Sequence, residues 1–209
     1  MRGLLFFVFV MIFANSVLAT TIQWKALPLK SVDSKATPYL GELKKAYSYS
    51  DINGDHLLLV SQKDAPSPQS PSSGRNENFA LRAVSFKQSD QGWSVEWSVK
   101  DGIDCPNLDS GAGFFYDQIA IEDLNNDHVA EVYLPYTYYC GGTDSSDVKV
   151  IMRTGELKFA VRGMADFVDE LDNISAGENT KFDKSLDDPR YKVFKKKITE
   201  IWKKIVSFK

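Results

Sequence analysis

IAIEDLNNDHVAEVYL, residues 119–134, sets Asp123, Asn125, Asp127 and Glu131 between two apolar runs. Two β-branched stretches joined by a cluster of Asx residues are the pattern of two strands and a polar turn. A partial copy, SYSDINGDHLLLVSQ at residues 48–62, aligns Asp51 with Asp123, Asn53 with Asn125, Asp55 with Asp127 and His56 with His128. Two unrelated Asx-rich turns would give the same match. A true repeat would make two similar β units, each opened by a D-x-N-x-D-H turn.

The flanking sequence extends this reading. KAYSYS and HLLLVSQ surround the first turn, and FALRAVSF and WSVEWSV surround KQSDQG, where Gly92 can take positive φ. FFYDQIAI and VAEVYLPYTYY surround the acidic loop, and VKVIM and LKFAVRG surround RTGE. The expected fold is therefore mainly β, with two four-stranded antiparallel, blade-like units in one domain over residues 20–165. Strand alternation puts Trp93, Val95, Trp97 and Val99 on one face. Residues 64–78, rich in Pro and Ser, read as a mobile loop within the first unit.

The N-terminus carries Arg2, an apolar stretch from Leu4 to Ala14, and small residues Val17 and Ala19. That is the layout of a cleavable signal peptide over residues 1–19. The apolar run covers about half of a bilayer's hydrocarbon core as helix. Export to the periplasm or the extracellular space is the expectation. Cys105 and Cys140 are the two cysteines, and in an oxidising compartment such a pair reads as one disulfide. A formal net charge of −3 gives no reason to expect nucleic acid as a partner.

Residues 166–209 begin as an acidic linker and end in a basic amphipathic α-helix. Phe194, Ile198, Ile201, Trp202 and Ile205 recur at helical spacing, with Pro189 suited to the first turn after Asp188. The apolar face is expected to pack on the β domain. Contact of residues 190–209 with an anionic membrane is the alternative.

The acidic loop offers side-chain oxygens from Asp123, Asn125 and Asp127, a backbone carbonyl at Val129 and a carboxylate from Glu131. Alternating oxygen donors of this kind suit Ca2+, and a solvated Asx turn is the competing reading. Strands flank the loop, so it is no EF-hand. It resembles the short calcium loops of integrin-type FG-GAP blades, except that His128 stands where glycine is usual. The turn there favours positive φ. In the first copy Leu59 replaces the last carboxylate, so that copy reads as a turn without metal.

IDCPNLD, the acidic loop and SSDVKVIMRTGELKFAVRG follow one another in an order that resembles a family of small exported bacterial surface polysaccharide biosynthesis proteins. The resemblance spans residues 47–164. It implies cell-envelope work and assigns no catalytic residue. The expected function is non-enzymatic binding of an envelope glycan or protein, with Tyr133, Tyr136, Tyr138 and Tyr139 as a candidate ligand surface. Two alternatives are a glycan hydrolase using the carboxylates of Asp117, Glu122, Asp123 and Glu131, and a membrane-surface adaptor using the basic helix.

Overall fold

The turn Ile52-Asn53 shows how the first unit folds. Asp51 pairs across it with Gly54, which adopts φ +122°, and the Asp51 carboxylate accepts the Asn53 N–H at 2.7 Å. Glycine there relieves the strain that a Cβ would add. The computed structural model describes residues 22–141, 146–165 and 179–206. The expected signal peptide and most of the acidic linker lie outside the described residues.

Five antiparallel strands form the first sheet in chain order: β1 (Gln23–Ala26), β2 (Glu42–Asp51), β3 (Gly54–Ala65), β4 (Asn78–Ser89) and β5 (Gly92–Asp104). The second sheet contains β6 (Ser110–Phe114), β7 (Ala120–Glu122), β8 (Glu131–Cys140), β9 (Ser146–Thr154), β10 (Leu157–Ala165) and β11 (Lys181–Phe182). Its order is β11-β10-β9-β8-β6, with β7 also paired to β8. The protein is mainly β, built from two antiparallel meanders, with one α-helix, α1 (Lys192–Val206). Short edge strands β1 and β11 extend the four-stranded units expected from the sequence.

Two strands depart from simple alternation. FFYDQIAI is not one strand: β6 pairs with Tyr136–Cys140 and β7 with Glu131–Tyr133, separated by a 3-10 turn at Tyr116–Gln118. Pro135 of β8 lies opposite the break. Proline has no N–H to give a ladder, and its carbonyl instead accepts the Phe115 N–H at 3.0 Å. In β5, Ser85 pairs with Trp97 but Phe86 pairs with Val95, leaving Glu96 as a bulge residue. Trp97 and Val99 consequently enter the core between the sheets, whereas Val95 is exposed and Trp93 packs on the opposite face. The expected single face of Trp93, Val95, Trp97 and Val99 is corrected by that one extra residue.

The sheets pack face to face through a shared core that includes Leu58, Val60, Trp97, Val132, Leu134 and Ile151. The outer face of the first sheet is covered by the segment carrying Leu27, Val32 and Tyr39. The outer face of the second sheet is covered by α1. Phe194, Ile198, Ile201, Trp202 and Ile205 are all buried there against residues such as Met152 and Phe159. The helix thus spends its apolar face on the protein itself. Among the described residues no helix is long and apolar enough to cross a membrane.

At one end of the sandwich Cys105 and Cys140 form a disulfide, with their Cα atoms 5.7 Å apart. It ties the segment after β5 to the end of β8, and so one sheet to the other. Asp101 of β5 reinforces the same end, accepting the Tyr136 hydroxyl at 2.8 Å and the Lys149 ammonium at 2.6 Å. Residues 66–77 fold around Glu77, a fully buried carboxylate that accepts the Ser70 hydroxyl and pairs with Arg75 at 3.1 Å.

The disulfide closes a loop with a sequence separation of 35 residues. Chain-entropy reasoning gives it about 3–4 kcal/mol of stability. Replacing both cysteines by serine is therefore expected to lower the unfolding free energy in urea by about that amount. An unchanged urea midpoint would show that the inter-sheet packing alone fixes this end.

Candidate metal centre

The acidic loop connects β7 to β8 at the opposite end of the sandwich. Its carboxylates organise its own backbone. Asp123 accepts the N–H groups of Asp127 at 3.2 Å and His128 at 3.1 Å. Asp127 accepts the Val129 N–H at 2.9 Å, and the Asn125 side chain both accepts the Asp127 N–H and donates to its carboxylate. Asn126 and His128 adopt φ of +59° and +66°. His128 thus holds the left-handed conformation that the sequence pattern called for, a region Asn and His enter more readily than most residues.

This winding draws Asp123, Asp127 and Glu131 together, with one carboxylate oxygen of each within 4.8 Å of the others. Glu131 differs from the other two. It is the first residue of β8 and has no exposed surface. One of its oxygens accepts the Leu124 N–H at 2.7 Å, and the other accepts no hydrogen bond from any described residue. Burial pushes its carboxyl up to about 7, the Leu124 N–H and more weakly the Asn125 N–H offset part of this, and the charges of Asp123 and Asp127 add to the rise. A buried carboxylate with an orphaned oxygen beside two further carboxylates is costly unless a cation compensates it. The acidic triad could hold a metal ion, and its donors are all oxygen. Asn125 and Val129, the other expected ligands, lie in the same loop.

The first copy of the turn lies against this loop. The Ile52 N–H donates to the His128 carbonyl at 2.8 Å, and the Asp51 carboxylate accepts the Ala130 N–H at 3.1 Å. Asp51 also accepts His56 Nε2 at 3.0 Å, and His56 Nδ1 lies 3.2 Å from Glu96, the bulge residue. The imidazole is buried and stacked on Tyr49. Burial alone would lower the His56 pKa, but the hydrogen bonds and charges of Asp51 and Glu96 outweigh it and hold it at about 9. Burial would likewise raise Asp51, and His56 with the Ala130 and Asn53 N–H groups keeps it below the usual carboxylate range.

Asp51, His56 and Glu96 were not among the expected site residues. The repeat carried one usable signal, since it aligns Asp51 with Asp123 and puts both turns at the same end of their units. A glutamate between two tryptophans in a strand was the second.

The tyrosine surface does not assemble as expected. Tyr133 and Tyr136 are buried, at 0% and 2% exposure, because β8 is an interior strand of its sheet and is covered on both faces. Tyr138 and Tyr139 remain partly exposed, and Lys149 stands over the Tyr138 ring at 4.9 Å. A larger concave surface lies elsewhere, a cleft of about 550 Å³ across the first sheet that is lined by Gln23, Trp24, Ser48, Ser50, Gln88 and Trp93.

Glu131→Gln keeps the shape of the side chain and removes its charge. In metal-free buffer at pH 8 it is expected to raise stability by about 1–2 kcal/mol and to erase any response to added cations. A destabilised variant would mean that the carboxylate is satisfied without metal. His56 gives a separate pH dependence. Its pKa is raised on folding, so its contribution is complete below about pH 6.5 and is lost as pH rises towards 9, over a span worth roughly 3 kcal/mol. Urea titrations from pH 6 to 9.5 should show that fall in the wild type and a flatter profile in His56→Gln. No protein-family model, curated protein or solved structure matches the chain.

Proposed function

We propose that this chain is an exported, non-enzymatic cell-envelope protein whose acidic loop binds calcium. On this reading it serves surface polysaccharide production or recognition by binding a glycan or another envelope protein. The observation that carries the metal reading is the fully buried Glu131, with one oxygen unpartnered and a carboxylate oxygen within 4.8 Å of those of Asp123 and Asp127. Calcium is favoured over softer metals because the donors are carboxylates, an amide and a backbone carbonyl, with no imidazole or thiolate among them. Magnesium prefers to keep several waters, which suits a triad closed around a buried carboxylate less well. Export is supported by the disulfide and by the signal-like N-terminal sequence.

A raised carboxyl pKa is also a mark of a general acid. Here the hydrolase reading is the weaker one, because a general acid has to reach its substrate and Glu131 has no exposed surface. The adaptor reading is weakened by α1, whose apolar face is occupied by the second sheet. A glycan partner is favoured by the cleft that Trp24 and Trp93 line together with amide and hydroxyl side chains and the charged Lys25 and Asp55. Aromatic faces meet the apolar faces of sugars while the polar fringe pairs with their hydroxyls.

Thermal unfolding with calcium and with chelator, beside Asp127→Ala, tests the metal reading. Calcium at a hundred times its dissociation constant should stabilise the wild type by about 2.7 kcal/mol. That corresponds to a rise in Tm of several degrees for a domain of this size. The variant should show no such rise. A wild type indifferent to millimolar calcium would reduce the loop to a polar turn.

A further inference from the structure

The hydrogen bonds between the two copies of the turn act on the peptides on either side of Val129. The peptide joining His128 to Val129 is held at both ends, its carbonyl by the Ile52 N–H at 2.8 Å and its N–H by Asp127 at 2.9 Å. The next peptide, joining Val129 to Ala130, is held by its N–H, which Asp51 accepts at 3.1 Å. In a trans peptide the C=O points opposite to the N–H. Fixing the Ala130 N–H on Asp51 therefore fixes the direction of the Val129 carbonyl, away from Asp51.

From this geometry we infer that Asp51, in the other sheet and far from the loop in sequence, is a positioning residue of the cation site: it aims the Val129 carbonyl that completes the donor set. The inference rests on the calcium reading of the loop. It adds that the first copy of the turn, which has Leu59 where the second has Glu131, serves the site of its partner copy. Asp51 is itself held rigidly, by His56 at 3.0 Å and by its own Asn53 N–H at 2.7 Å, and both bonds fall on the oxygen that does not face Ala130. One carboxylate oxygen is thereby committed to the first turn and the other to the loop. Outer partners that orient metal ligands in this way typically control affinity by 10- to 100-fold.

Asp51→Asn separates the two roles. Its amide oxygen can keep the His56 and Asn53 bonds, which places the NH2 against the Ala130 N–H and turns that contact repulsive. Calorimetric titration with calcium chloride should show about 10- to 100-fold weaker binding than the wild type. Terbium luminescence lifetimes in H2O and D2O should report about one more metal-bound water, as expected when a carbonyl ligand is lost. Tyr136→Phe is the control. It removes the bond to Asp101 at the disulfide end of the sandwich, so it should lose stability while holding calcium affinity within about twofold of wild type.

Wild-type affinity and unchanged hydration in Asp51→Asn would overturn the inference while leaving the calcium site standing. A wild type that binds no calcium would overturn both. Should Asp51→Asn fail to fold, hydrogen exchange in the wild type decides. Calcium should slow exchange of the Ile52 and Ala130 amides at least about tenfold, and unchanged exchange at those two amides would refute the coupling.

Discussion

A strand covered on both faces has no solvent side, and β8 is such a strand. Val132, Leu134 and Tyr136 point into the core between the sheets, and Tyr133 points into the core beneath α1. Every residue from Glu131 to Tyr136 is buried as a result. Only the two ends of β8 offer places for chemistry. Cys140 at one end makes the covalent link to the other sheet, and Glu131 at the other end carries a carboxylate inside. An ionised carboxylate is costly at that position unless something compensates its charge. The constraint that makes the second sheet stable is thus the one that makes the loop a candidate metal centre.

The ends of the sandwich are closed by different means. The disulfide end restricts the unfolded chain, and Asp101 adds bonds to Tyr136 and Lys149 across the sheets. The loop end has no covalent link. It relies on a buried polar network of Asp51, His56, Glu96, Ser85 and Tyr49, in which Ser85 donates to Glu96 at 3.0 Å and lies 2.9 Å from the Tyr49 hydroxyl. Removing one member of such a network leaves an uncompensated buried charge. Through Asp51 the network also fixes how the two turns face each other. Its hydrogen bonds fix direction, which apolar packing cannot do.

The strand periodicities, the two-unit organisation, the disulfide and the amphipathic helix were all legible, because each depends on local pattern or on a small number of residue types. The failures share a cause. Trp93 and Val95 leave the expected face because a single bulge at Glu96 inverts the alternation upstream of it. The strand expected at FFYDQIAI breaks because Pro135, on another strand, cannot donate to it. Tyr133 and Tyr136 looked like a binding surface because tyrosine tolerates both environments, and only the sheet order reveals that β8 has neighbours on both sides. Within the site, Asp123, Asp127 and Glu131 could be found from spacing. Asp51 could not, since its contact with Ala130 depends on how two sheets pack.

The two copies of the turn then read as one motif put to two uses. Both begin with an aspartate whose carboxylate accepts backbone N–H groups, Asp51 from Asn53, and Asp123 from Asp127 and His128. They diverge in the strand that follows. Leu59 of β3 faces an apolar layer of Leu57, Val84 and Phe86, where a carboxylate would find no partner. Glu131 of β8 faces the loop's own acids and the Leu124 N–H. With Leu59 where the second copy has Glu131, the first copy has no acid at that position, and its turn closes tightly over Ile52-Asn53. That turn presents Asp51 and the Ile52 N–H to the facing loop. The asymmetry between the copies is therefore what lets one brace the other.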